Sequence, residues 1–166
     1  MKTNSVFLYL FIVFSIAFLN SATTREGSYR PRLLERVDLE RSIYMLSPQT
    51  IISSGKIYTY GNYLFIVEKY KGIHVFDNSN KSAPINLKFI NIPGAIDIAI
   101  KGSYMYVDNA VDLITLDLSD VNNVQVVSRL RDVFPELLPP DLSYIPAKYN
   151  KYNRPENTII VEWVQN

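Results

Sequence analysis

YGNYLFIVEKYKGIHVFDNSN, residues 60–80, returns as KGSYMYVDNAVDLITLDLSD, residues 101–120. Each copy opens on Gly-x-Tyr and a short apolar run, turns through polar residues, and closes on a second apolar run ending in Asp-x-Ser. Gly61 and Gly102, like Tyr63 and Tyr104, lie 41 residues apart, whereas Asp77 and Asp117, like Ser79 and Ser119, lie 40 apart. The one-residue difference falls in the turn, EKYKG against DNAVD, where a change of length costs least. A period near forty with several short strands per copy points to propeller blades and away from helical arrays.

Four strands are expected in each copy, at 56–60, 63–68, 73–77 and 85–92, then at 97–101, 104–108, 113–117 and 124–131. The run YLFIV is apolar on both pleat faces, so each blade is expected to be covered on both sides. Leu64, Ile66, Ile73, Val75, Val107, Leu113 and Leu116 are the predicted core. The glycines suit tight turns before the second strand. DNSN and DLSD suit turns in which Asp and Ser side chains bond nearby backbone amides.

Around this repeat the chain divides into four. Residues 1–22 read as a secretory signal: Lys2 precedes an apolar run from Val6 to Leu19, too short for the ~20 residues that span a bilayer, and small polar residues follow. Residues 23–54 form an N-terminal segment with one short helix over 37–45, capped by Asp38, with Leu39 and Ile43 on one face and Pro48 beyond its end. Residues 55–134 hold the two repeats, 55–94 and 95–134. Residues 135–166 are a proline-rich connector, extended because Pro135, Pro139, Pro140, Pro146 and Pro155 disfavour helix and central strand alike, and TIIVEWV follows as a strand. The expected fold is mainly β: a partial propeller of about two four-stranded blades with a short N-terminal helix and an extended C-terminal segment.

GIHVFDNS and DLITLDLS resemble the LVIVD-repeat family of bacterial and archaeal cell-surface proteins. The signature positions are 73–77 and 113–117, flanked by Gly61 and Tyr63 in one copy and Gly102 and Tyr104 in the other. His74 and Thr115 stand at usually aliphatic places, Asp112 where glycine is common, and Val124 where the first copy has Pro84. The resemblance implies a four-stranded propeller repeat on an exported protein and no catalytic residues. Gly61, Tyr63, Ile73, Asp77, Gly102, Tyr104, Leu113 and Asp117 are thus expected to be structural. Lipoproteins among its members carry a cysteine just after the signal, and this chain has none, so no lipid anchor is expected.

Composition narrows the chemistry. With 17 basic and 16 acidic residues, a formal charge of +1, nothing draws the chain to nucleic acid. The lack of cysteine removes disulfides, thiolate metal sites and thiol nucleophiles. His74 is the sole histidine and sits mid-strand, where a packed, hydrogen-bonded ring is expected over a general base. Asp108, Asp112, Asp117 and Asp120 suggest a cation loop, but no D-x-D-x-D-G pattern accompanies them and turn roles fit better. No catalytic, cofactor or metal residue is expected. Tyr70, Tyr149 and Tyr152, the last two within AKYNKYNRP, are the expected contact surface.

The expected function is that of an exported, non-catalytic repeat protein at the cell surface, in the periplasm or secreted, binding a protein or glycan. A carbohydrate-active or other hydrolytic enzyme on the same scaffold is the alternative, signalled by paired carboxylates in one pocket. A further alternative is an inactive fragment of a longer LVIVD-repeat protein. Two blades do not close a ring, so self-association through an exposed blade face is expected, with the helix and the proline-rich tail as partial caps.

Overall fold

The computed structural model describes residues 27–166. The expected signal segment and any anchoring at its end lie outside the described residues. Among those described, no helix is long and apolar enough to cross a membrane.

The chain runs β1 (Tyr29–Glu35), α1 (Arg36–Arg41), β2 (Tyr44–Leu46), β3 (Ser54–Tyr60), β4 (Tyr63–Glu68), β5 (Gly72–Asp77), β6 (Ile85–Asn91), β7 (Ile98–Lys101), β8 (Tyr104–Asn109), β9 (Asp112–Asp117), β10 (Gln125–Leu130) and β11 (Thr158–Gln165). Three sheets result. The first blade has the order β2-β6-β5-β4-β3, the second β10-β9-β8-β7, and β1 pairs with β11 in a two-stranded ribbon. All pairings are antiparallel.

The eight expected blade strands are present, and the turn that differs in length lies between β4 and β5 in one copy and β8 and β9 in the other. Gly61 and Gly102 take φ of 56° and 60° just after β3 and β7, the left-handed setting that two-residue hairpin turns reserve for glycine. Asp77 and Asp117 each accept the amide two residues on, from Ser79 and Ser119, at 2.8 Å in both copies. The repeated phrase is therefore repeated turn chemistry as well as repeated apolar pattern.

Strand pleating gives each blade two faces. Phe65, Val67, Ile73 and Val75 of the first blade and Ile98, Met105, Val107, Ile114 and Leu116 of the second form one buried cluster between the sheets. Tyr58 and Ile100 pack at its edge, where the Tyr58 hydroxyl reaches the Ile100 carbonyl at 3.4 Å. The opposite face of the first blade carries Ile57, Leu64, Ile66, His74 and Phe76, set by the pairs Ile57 to Ile66, Ile66 to His74 and Leu64 to Phe76. The opposite face of the second carries Tyr106, Asp108, Leu113 and Thr115.

Several expectations are corrected. The helix spans Arg36–Arg41, not 37–45, and Glu35 rather than Asp38 holds its N-cap position, with no side-chain cap. Ser42 ends it by donating its hydroxyl to the Leu39 carbonyl, and the next residues join β6 as β2, giving the first blade a fifth strand. Leu64 and Leu113 are half-buried, because each lies on the face turned away from the other blade. TIIVEWV is the expected strand, and as β11 it pairs with the N-terminal strand, with Tyr29 opposite Gln165 and Glu35 opposite Thr158.

The ribbon and helix pack on the turn end of the second blade through Leu39, Ala110 and Val161. The proline-rich segment is irregular apart from one 3-10 turn at Ala147–Tyr149. It is pinned where Phe134 donates its amide to Val111, where Trp163 donates its indole N–H to Leu137, and where Arg154 pairs with Glu136.

Candidate functional site

Three hollows meet at the turn between β4 and β5. The largest, about 660 Å³, lies between the outward face of the second blade and the tail at residues 134–138. A second, of about 550 Å³, is bounded by the first blade, the 49–53 loop and the terminal strand. A third, of about 340 Å³, lies beneath α1 and β1. Tyr70 lines all three, with φ of 64°. The other two expected contact tyrosines lie apart from it. Tyr149 packs edge-on against Trp163 at 5.7 Å, and Tyr152, 81% exposed, stands on the surface.

The second hollow holds the sole histidine. His74 is fully buried and its Nε2 lies 3.1 Å from Glu68 Oε2. Glu68 also accepts the backbone amides of Ile52, at 3.0 Å, and Ser53, at 2.5 Å. Burial alone would raise the Glu68 carboxyl, but the two amides and His74 outweigh it and hold it below the usual carboxylate range. An ionised carboxylate only accepts, so Nε2 of His74 carries the proton and donates. Nδ1 is buried and has no partner among the described protein groups. Phe89 meets the ring edge-on at 4.8 Å. Nearer the mouth, Lys71 Nζ pairs with Glu162 at 2.5 Å, and Arg32 approaches the same carboxylate at 3.6 Å.

The equivalent positions of the second blade are filled differently. Asn109 replaces Glu68, Ile114 replaces His74, Arg129 replaces Phe89 and Asp112 replaces Gly72. Asp112, fully buried, accepts Arg36 at 2.7 Å, Arg129 at 2.7 Å and the Asp132 amide at 3.0 Å. Burial pushes its carboxyl up, but Arg36, the Asp132 amide and Arg129 prevail and hold it down. Asp112 thus clasps the N-terminal helix to the second blade. At Gly72, by contrast, an added Cβ would lie 2.0 Å from the Ile90 carbonyl.

The other aspartates are local. Asp108 binds the amides of Ile96 and Asp97, both at 2.8 Å, and burial raises its carboxyl despite them. Asp120 accepts the Asn122 amide. Among the described residues no group of three or more His, Cys, Asp or Glu side chains could hold a metal ion. The pair formed by Glu68 and His74 was not foreseen, although the hairpin register places them diagonally across adjacent strands and would have revealed it.

No curated protein and no solved structure matches the chain. The LVIVD repeat family matches it twice, over residues 53–90 and 94–131. These spans coincide with the two sheets just described, β3 to β6 and β7 to β10, so the chain carries two tandem LVIVD repeats, each folded as one blade.

Proposed function

We propose that the chain is an exported, non-catalytic repeat module that works by binding, through the turn end where the three hollows meet. The carboxylates of the two larger hollows carry this reading, because each is already engaged. Glu68 and Glu162 share the second hollow, the arrangement that would favour a hydrolase. Yet Glu68 is spent on two amides and His74, and Glu162 on Lys71 and Arg32. In the largest hollow both oxygens of Asp108 hold backbone amides, Asp97 pairs with Lys56 and Glu136 with Arg154. A general acid needs a proton and a clear line to the leaving group, and these groups are arranged to hold loops.

The test sets turnover against binding. The chain incubated with p-nitrophenyl glycosides and esters should release no p-nitrophenol above the buffer rate. Release that disappears in Asp108→Asn or Glu68→Gln would overturn the reading in favour of a hydrolase.

A second copy of the chain is the proposed partner for another surface. Ile57 is 59% exposed on the outward face of the first blade, beside half-buried Leu64 and Phe76. The equivalent positions of the second blade, Ile98, Met105 and Leu116, are buried against a neighbouring sheet.

A further inference from the structure

We propose that the hollow floored by His74 and Glu68 is a binding site for a neutral, hydroxyl-bearing ligand of the saccharide kind, with His74 Nδ1 accepting a ligand hydroxyl. This rests on the binding reading above and names its site and ligand class.

The argument begins with the proton. With Nε2–H donated to Glu68, the neutral ring presents Nδ1 as an acceptor, and the atom is buried without a donor among the described protein groups. A buried acceptor left unsatisfied is costly. The fold itself does not ask for an imidazole here, since the second blade places Ile114 at the same position and buries it fully. His74 is thus a departure from the repeat that introduces an unmatched acceptor beside a hollow of about 550 Å³. That volume is within the range of small-ligand sites and far above the ~30 Å³ of one water.

Charge decides the class. Both carboxylates of the hollow are partnered, and Lys71 is held by Glu162. A cationic ligand would find no free carboxylate, and an anionic one would lie against Glu68, with Lys71 held by Glu162 and Lys69 laid over the Tyr70 ring. A neutral ligand disturbs neither pair. The walls are mixed: Phe89, Leu46 and Trp163 are apolar, while Thr50 offers a hydroxyl and Gln49 and Asn91, whose amide nitrogens donate to the Ser47 and Ser42 carbonyls, offer their amide oxygens. A pyranose ring matches such a lining, because it shows an apolar C–H face and a rim of hydroxyl donors.

The experiment uses the fact that His74 is the only histidine. The untagged exported chain labelled with ring-15N histidine gives one imidazole spin system. In the free protein the Nε2–H tautomer is expected. Addition of glucose, N-acetylglucosamine or cellobiose should shift the Nδ1 resonance saturably with at least one of them. Gln49→Ala and Thr50→Ala, on an exposed loop, should leave the fold intact and weaken that saturation about tenfold, the worth of one hydrogen bond. A proton on Nδ1 in the free chain would overturn the proposal. So would ring signals that respond to inorganic phosphate or methylammonium but to no saccharide, or to none of these probes. Saccharide-induced shifts confined to other residues would overturn this site while leaving a binding module, whereas p-nitrophenol release would defeat the non-catalytic reading itself.

Discussion

Asp112 draws three separate groups together, accepting Arg36, Arg129 and the Asp132 amide. It stands out in the sequence because its counterpart is Gly72, but its role is not legible there, since Arg36 is 76 positions away. Replacing it with alanine leaves Arg36 and Arg129 facing a void. Because both guanidinium groups keep some contact with water, the expected cost is about 2–4 kcal/mol, below the full penalty for breaking a buried pair, read by urea unfolding at neutral pH. The pH dependence has a fixed sign. Asp112 and Glu68 are both held below their ordinary values, so the stability they contribute is present above the unfolded carboxylate pKa of ~4 and is lost as pH falls through their folded values. Asp108, held above its ordinary value by burial, acts oppositely and gains stability on protonation. Asp112→Asn should therefore lower stability at pH 7 and flatten its decline in acid; an unchanged acid limb would contradict the clasp.

Elements were legible in proportion to how local their causes are. The eight blade strands and the shortened turn follow from alternation, glycine placement and Asp-x-Ser, all visible within about twenty residues. β1 was not legible, because Arg30, Pro31 and Arg32 carry no strand pattern. Proline is tolerated there since a two-stranded ribbon leaves one side of each strand free, and what fixes the strand is β11, at the far end of the described chain. The helix is shorter than its pattern implies for a related reason: Leu39 and Ile43 suit one helical face, yet the edge of β6 recruits residues 44–46 as a strand. Core energetics should follow the faces. Leu116→Ala, in the cluster between the blades, should cost about 3–5 kcal/mol, and Leu113→Ala, half-buried on the outward face, roughly half as much or less. Equal costs in denaturant titrations would mean that the two blades do not meet as described.

At the scale of the molecule, the two outward blade faces are unlike. Tyr106, Asp108 and Thr115 make that of the second blade polar, and the tail lies over it. The first blade keeps an apolar one. A head-to-tail ring of copies would set apolar against polar, so the expected assembly is a symmetric dimer through the first blade. Native mass spectrometry of the chain expressed with residues 1–22 in place reads this and its processing together. A dimer is expected, reduced to monomer by Ile57→Asp, with an N terminus between residues 18 and 25 and no acyl group. A monomer at micromolar concentration would show that the face needs no cover, and an intact Met1 would rule out the signal reading. The ribbon of β1 and β11 has a further consequence, for biosynthesis. During synthesis, residues 29–35 emerge early and residues 158–165 late. Both blades can close in the interval, but the first strand must wait unpaired until its partner arrives, and the helix that follows it has no Val161 to bury against until then. The molecule is thus built to lock late: β11, delivered after both blades, fastens β1, and a chain stalled before it would hold two finished blades with β1 loose and open to proteases.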